Sequence, residues 1–319
     1  MKHLTGLLWV VLMCVSSTLL AQQEEQYTMF MLNKLYYNPA YAGADAPLTV
    51  NAATRHQWVG FDGAPSAQKL SSDFTLFHAR LGMGFHLVYN TMGISKKIQF
   101  TGSYAYRVQV QNGYLGVGVN ASIRYTDDNY QDKRLFSSTD ISMDGSIPME
   151  AETSFSPDFG IGFYYKADRF YIGASLPNML NVRRTQVANN QTISLDRHHY
   201  YLMTGYSLNL NRVILITPQI LLKYVSGAPL DGDINVMTTF DKKYKLGLGY
   251  RLGGNLQNGS GESFDVMFGL PITTPIFFGL SYDMTISKLS KYNSGSIEAI
   301  LQYRINNHLA VTPMSPRFF

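Results

Sequence analysis

Tyr114-Leu115-Gly116-Val117-Gly118-Val119-Asn120-Ala121-Ser122-Ile123-Arg124-Tyr125 is the stretch whose reading decides the fold. In an extended strand successive side chains point to opposite faces, so Leu115, Val117, Val119, Ala121, Ile123 and Tyr125 share one face. Gly116, Gly118, Asn120, Ser122 and Arg124 share the other. One face suits hydrocarbon and the other suits water.

The same alternation recurs along the chain. Leu81, Met83, Phe85, Leu87 and Tyr89 oppose Gly82, Gly84, His86, Val88 and Asn90; Tyr244, Leu246, Leu248, Tyr250 and Leu252 oppose Lys245, Gly247, Gly249 and Arg251. Period-2 segments between turn signals predict strands over about 48–55, 66–76, 80–90, 96–110, 113–125, 157–166, 169–176, 198–210, 213–224, 232–240, 243–252, 262–270, 276–283 and 296–304. About fourteen strands of roughly ten residues match the even count and tilted length of an outer-membrane barrel. Many of them begin or end in Tyr or Phe, as an interfacial girdle requires.

The polar faces carry His86, Arg107, Arg124, Lys166, Lys245, Arg251, Asp265, Asp283, Glu298 and Arg304, which a barrel would turn toward a hydrated lumen. A soluble sandwich would turn the same faces to bulk water, and alternation by itself does not separate the two. Strand length and aromatic ends favour the all-β transmembrane antiparallel barrel.

The N-terminus adds a second indication. Lys2 and His3 precede an apolar run from Leu4 to Val15 and a small-residue stretch ending at Ala21, which reads as a signal peptide over residues 1–21. The run is too short for a spanning helix, which needs about 20 apolar residues. Cys14 is the only cysteine and lies inside this segment, so the mature chain would have no disulfide or thiolate site. Net charge is +4, or +3 once Lys2 has left, with no basic run, so nucleic acid is not an expected partner.

These signals divide the chain into residues 1–21, an N-terminal extension over 22–47, a barrel over 48–304 and a C-terminal tail over 305–319. The extension and the tail are too irregular for membrane strands; each is either periplasmic or folded into the lumen. The links at Gln111-Asn112-Gly113 and Asp241-Lys242 are short, whereas 126–156 and 177–197 are long and polar. In outer-membrane barrels the long loops are extracellular.

No chemical site stands out. Asp127, Asp128, Asp140 and Asp144 lack calcium-loop spacing, and the adjacent His198 and His199 point to opposite strand faces. Ser71, Ser72 and Asp73 have no His at triad spacing. Neither a metal nor a cofactor nor catalysis is expected. The segment Arg55-His56-Gln57-Trp58-Val59-Gly60-Phe61-Asp62-Gly63-Ala64-Pro65 is different, because Trp58 is the one Trp outside the signal segment. It is either a girdle Trp in a Gly/Pro turn or part of a docking surface.

Five blocks in order carry a family resemblance: Asn38-Pro39-Ala40-Tyr41-Ala42-Gly43; Arg55-x-Gln57-Trp58-x-Gly60-x-x-Gly63-Ala64-Pro65; Pro157-Asp158-Phe159-Gly160-Ile161-Gly162; Ser281-Tyr282-Asp283 with Gly295 and Glu298; and Pro316-Arg317-Phe318-Phe319. Together they resemble the PorP/SprF family, outer-membrane proteins of the Bacteroidota type IX secretion and gliding apparatus. The resemblance implies a non-enzymatic barrel in the outer membrane of a Gram-negative bacterium. It implies as partners the membrane lipids, periplasmic secretion components or a peptidoglycan-binding protein, and adhesin-type cargo. Asn38, Pro39, Tyr41, Gly43, Arg55, Gln57, Trp58, Gly60, Gly63, Pro65, Arg317, Phe318 and Phe319 become candidates for partner docking. Residues 22–47, the 55–65 turn and the tail are expected to form one periplasmic or luminal surface. A porin or small-solute transporter is the alternative that the charged inner face permits.

Overall fold

Strands of alternating character can bury one face by packing two sheets together or by closing a single sheet into a ring, and the computed structural model shows the ring. It describes residues 25–77, 80–132, 151–180, 183–186, 191–195, 197–226, 228–253 and 261–305. The strands are β1 (Leu48–His56), β2 (Ser66–Leu76), β3 (Leu81–Met92), β4 (Ser95–Val110), β5 (Gly113–Asp128), β6 (Glu152–Ala167) and β7 (Phe170–Leu176). There follow a separate hairpin of β8 (Arg183–Gln186) and β9 (Gln191–Leu195), then β10 (His199–Tyr206), a two-residue β11 (Leu208–Asn209) and β12 (Ile214–Val225). β13 (Asp231–Phe240), β14 (Tyr244–Arg251), β15 (Ser263–Pro271), β16 (Ile276–Thr285) and β17 (Ser296–Ile305) complete the wall.

Each wall strand pairs antiparallel with its neighbours. The β1–β17 and β10–β12 pairings close a ring of fourteen strands, with β11 as one extra strand beside β12. A closed ring leaves no unpaired edge in hydrocarbon, where each orphan backbone group would cost several kcal/mol. No helix among the described residues is long and apolar enough to cross a membrane.

The faces are inverted relative to a soluble protein. In β5, Val119 is 51% exposed and its neighbour Asn120 only 7%. Around the ring Leu70, Leu87, Phe100, Tyr104, Phe159, Leu248 and Tyr282 point outward, while Asp73, His86, Ser103, Asp158, Asn235, Arg251 and Glu298 are buried inside. This inversion excludes the sandwich that alternation alone left open.

Three details differ from the sequence reading. Strands β5 and β6 run on to Asp128 and back to Glu152, paired along their whole length, so the loop between them is shorter than 126–156. The predicted 198–210 strand breaks at Ser207, whose amide donates to the Arg169 carbonyl at 2.7 Å instead of joining the ladder. The 177–197 link is not simply loop, because it contains the β8–β9 hairpin.

Counting reversals fixes which connections share a mouth. The start of β1 at Leu48, the end of β17 at Ile305 and the strand ends that flank 77–80, 111–112, 168–169, 241–243 and 272–275 lie at one mouth. The 57–65 turn, the 93–94 turn and the links 129–151, 177–198, 226–230, 252–262 and 286–295 lie at the other. Of the surface expected from 22–47, the 55–65 turn and the tail, Arg55 Nη1 donates to Thr28 Oγ1 at 2.8 Å, so the start of the luminal segment lies beside the turn, whereas Leu48 and Ile305 stand at the opposite mouth and the tail is outside the described residues.

Because Val119 sits mid-strand on the lipid face, Val119→Arg should lower stability by about 2–4 kcal/mol. Val119→Leu should stay within about 0.5 kcal/mol. Urea titrations of protein refolded into lipid vesicles, followed by heat-modifiable gel mobility, measure both.

Candidate functional site

Residues 25–47 run through the lumen from the long-loop mouth to the short-turn mouth. Phe30–Leu32 forms a 3₁₀ turn, Lys34–Tyr37 one α-helical turn and Pro39–Tyr41 a second 3₁₀ turn, started by Asn38, whose side chain accepts from the Ala40 amide at 2.9 Å. So short a helix has no stability of its own and is held by the wall around it. Tyr27, Phe30, Tyr37, Ala40 and Ala42 are wholly buried there.

At the long-loop end the anchor is an ion-pair network centred on Thr28. Its hydroxyl donates to Asp283 Oδ2 at 2.7 Å and accepts from Arg55 Nη1 at 2.8 Å and Arg251 Nη2 at 3.3 Å. Its amide donates to Glu298 Oε2 at 2.7 Å. Arg55 Nη2 meets Asp283 at 2.7 Å, Arg251 Nε meets Asp233 at 2.7 Å, and Lys223 lies 3.0 Å from Asp231 and 2.9 Å from Asp233. Gln26 donates to Asp231 at 3.0 Å, Asn90 donates to Glu25, and Lys69 donates to Asn33 while lying over the Tyr27 ring at 4.2 Å. Charges this buried are tolerated because each meets an opposite charge or a polar partner.

At the short-turn end the contacts change character. Arg107 Nη1 donates to the Ala42 carbonyl at 2.8 Å, the Gly43 amide to Asp73 at 3.0 Å, and Lys166 to Asp45 at 2.6 Å. Asn38 donates to the Phe163 carbonyl at 2.9 Å, and Ser175 to the Tyr37 carbonyl at 2.6 Å. Lys34 sits over Tyr171, 3.8 Å from the ring centre. Burial is the main cause that lowers the Lys34 pKa below its ordinary value, with Lys166, Arg304 and Lys245 adding to it and Asp45 opposing. For Asp45 burial would raise the pKa, but Lys166, Lys34 and Arg304 hold its carboxyl well below the usual carboxylate range. A carboxyl depressed in the fold contributes stability that is present above its unfolded pKa, near 4, and lost as pH falls.

Inner-face glycines make room for the segment. A Cβ on Gly118 would lie 2.5 Å from Ala40 Cα, and one on Gly84 would lie 2.7 Å from Leu35 Cδ1. Gly82, Gly116, Gly162 and Gly173 face Ala42, Ala40 and Asn38 in the same way. In a strand such glycines mark the close approach of another backbone.

The sequence candidates now have places. Asn38, Pro39, Tyr41 and Gly43 belong to the luminal segment and are buried against the wall, Gly43 within the turn closed by the Ala44 amide and the Tyr41 carbonyl. Arg55 points inward and joins Asp283 and Glu298, two of the other family-motif residues, around Thr28. His86, Arg107, Arg251, Asp283 and Glu298 are buried on the luminal face; Arg124 donates to Gln99 at 3.1 Å, Lys245 lies 4.9 Å from the Phe277 ring, and Arg304 is half-buried. Arg317, Phe318 and Phe319, like the expected signal peptide, lie outside the described residues. Thr28, Lys69, Lys223 and Asp233 were not singled out by the sequence reading.

Gln57, Trp58, Gly60, Gly63 and Pro65 stand at the long-loop mouth instead. The Gln57 amide donates to the Pro65 carbonyl at 2.9 Å, Val59 to Gly295 at 2.8 Å, and the Gly93 amide to Gly63 at 2.9 Å. Trp58 adopts φ +51°, unusual for a bulky residue and worth of order 1–3 kcal/mol of strain, and its amide donates to Ser296 Oγ at 3.1 Å. The turn lines a groove of about 490 Å³ with Trp58, Phe61, Asp62, Pro65, Met92 and Ile94. Phe61 is 50% exposed at its lip.

Removing one partner of a buried ion pair typically costs about 3–5 kcal/mol. Arg55→Ala should therefore destabilise by that order and free the segment, so that limited proteolysis cuts within 25–47 while the strands stay protected. Gly118→Leu should also expose 25–47 to protease, through the clash with Ala40 and with the network intact. Protection equal to the wild type in both variants would contradict the anchoring described above.

Residues 19–303 match the family described as Type IX secretion system membrane protein PorP/SprF. No curated protein matches the sequence. Among solved structures, the CymD monoaromatic hydrocarbon channel is similar at 12% identity and a TM-score of 0.52, over 88% of this chain and 94% of that one. A deltaS2S3 mutant of the TodX monoaromatic hydrocarbon channel is similar at 13% identity and a TM-score of 0.52, over 86% and 94%. At such identity the likeness is one of fold.

Proposed function

The chain belongs to the PorP/SprF family of type IX secretion system membrane proteins, and from that membership we propose that it works as a docking component in the outer membrane rather than as a solute channel. Its partners meet it at the two mouths. The long-loop mouth faces the cell exterior, as outer-membrane barrels place their longer loops. There the braced turn at Trp58 presents the groove and exposed Phe61 to adhesin-type cargo, and helps to retain it. The short-turn mouth, from which the chain leaves after Ile305 toward Arg317, Phe318 and Phe319, faces periplasmic secretion components or a peptidoglycan-binding protein.

The observation that carries this reading is the strained, multiply hydrogen-bonded Trp58 turn around an apolar groove at a mouth, above a lumen crossed by residues 25–47. Aromatic anchors in a preformed groove are the usual seat of interface energy. The porin or small-solute reading is supported by the channel-like fold and the charged luminal face, but needs the luminal segment to move aside.

Two measurements test the proposal. Phe61→Ala, and separately removal of residues 306–319, should leave folded barrel at wild-type levels. The first should reduce surface-retained cargo several-fold, and the second should reduce recovery of periplasmic partners in pull-down. Unchanged retention and unchanged pull-down would sink the docking reading, and steady single-channel conductance from the wild-type protein would favour the transporter. For orientation, an epitope ahead of Glu25 should be labelled by antibody on intact cells, because Glu25 is anchored to Asn90 near the long-loop mouth. One inserted at Asp241–Lys243 should be labelled only after permeabilisation.

A further inference from the structure

The short-turn end of the lumen holds more positive charge than its carboxylates can balance. Lys34, Lys166, Lys245 and Arg304 all lie within electrostatic reach of one another or of Asp45. Arg107 adds a fifth cation beside Asp73. Among the described luminal residues five cations thus share two carboxylates, and these are already engaged: Asp45 by Lys166 and the Tyr41 hydroxyl at 2.8 Å, Asp73 by the Gly43 amide.

Three of the cations have no carboxylate of their own among the described residues. Lys34 donates to the Tyr164 hydroxyl at 3.4 Å and otherwise rests on aromatic faces. Lys245 lies over the Phe277 ring. Among the described residues Arg304 Nε is buried with no acceptor, although the Arg304 backbone amide is bonded to the Pro275 carbonyl at 2.8 Å. Register puts Arg304 opposite Thr49 on β1 and Lys245 opposite Gly269 on β15, both within the last turn-proximal residues of their strands. Both side chains are half-buried at the short-turn ends of their strands. At the long-loop end Arg55, Arg251 and Lys223 each touch a carboxylate, and only Lys69 among the described cations of that network meets an amide oxygen and a ring instead.

Unpaired buried cations are costly, and an anion that completes them is favoured both by charge and by charge-assisted hydrogen bonds. We propose that this end of the lumen is an anion-binding site, in which Lys245, Arg304 and Lys34 receive one carboxylate or phosphate group entering through the short-turn mouth. Guanidinium and ammonium groups together suit either anion: Arg304 offers a planar fork and the two lysines offer point charges. Direction of entry follows from position, because Thr28 and its network close the lumen above while Lys166, at the lower anchor, remains partly exposed. The site does not depend on the docking reading, since it is built from luminal side chains alone.

Purified protein in neutral detergent at fixed ionic strength provides the test, with sodium phosphate, sodium glutarate and sodium chloride as probes. Phosphate or glutarate should bind saturably by calorimetry and raise the unfolding temperature, and chloride should do so much less. The double variant Lys245→Gln/Arg304→Gln should lose at least tenfold in apparent affinity. Lys242→Gln/Lys243→Gln, altered on the exposed short-turn rim, should bind as the wild type does. If the double variant fails to show the heat-modifiable mobility of a folded barrel, each single variant should still bind several-fold more weakly. Stronger binding of glutarate assigns the site to a carboxylate such as an acidic peptide side chain, and stronger binding of phosphate to a phosphorylated ligand. Absence of saturable binding to either anion, or equal binding by the Lys245/Arg304 variants, overturns the proposal.

Discussion

Two guanidinium groups, Arg55 and Arg251, converge with Asp283 and Glu298 on the backbone and hydroxyl of Thr28, and Asp233 pairs with Arg251 behind them. The constraint behind this contact is that a lumen walled by a membrane barrel is too narrow to hydrate many buried charges separately, so they must neutralise one another. The network joins β1, β13, β14, β16 and β17 to a segment that is not part of the wall. Each carboxylate is placed by a strand, yet the geometry is completed by a residue near the start of the described chain. Wall and luminal segment are therefore mutually dependent: Arg55, Arg251, Asp283 and Glu298 have Thr28 as a shared partner only when residues 25–47 are in place.

The lower half of the lumen solves a different problem. Backbone lies close to backbone there, with Ala40 against Gly118 and Ala42 against Gly82, and the contacts are carbonyls, amides and tyrosine faces more than ion pairs. Tyr41, Tyr164 and Tyr171 stack around Lys34, which replaces part of the solvation that its ammonium loses. Steric fit fixes the position of the segment at this end, and electrostatics fixes it at the other. The unequal charge of the two ends follows from that division.

The wall was legible in the sequence because its rule is local. A lipid-facing residue every second position leaves a periodic trace, and the stretch from Tyr114 to Tyr125 falls out along β5 with Val117, Val119 and Ile123 outward and Asn120 and Ser122 inward. The strand count survived for the same reason. What lay inside the ring was less legible, since contacts such as Thr28 to Glu298 span 270 positions and leave no periodicity. One signal was available: Gly82, Gly84, Gly116 and Gly118 all take the polar faces, where small residues gain nothing from water but permit another backbone to approach. The family motifs likewise held Arg55, Asp283 and Glu298 without saying that they meet. The mouth of the Trp58 turn needed only a count of strand reversals, since one strand separates it from the chain before Leu48.

Fold likeness to hydrocarbon channels concerns the wall, and the wall is the part of the molecule least tied to what it does. A solute path would require residues 25–47 to give up the Thr28 network at one end and the Asp45 and Arg107 contacts at the other, leaving buried charges without partners. Partner binding at a mouth requires none of this, because the Trp58 turn is braced by β17 and the β3–β4 turn, not by the luminal segment. The same bracing keeps an unfavourable φ at Trp58 in place whether or not a partner is bound. On the docking reading, a partner held at this braced mouth would leave undisturbed the charges on which the barrel's interior depends.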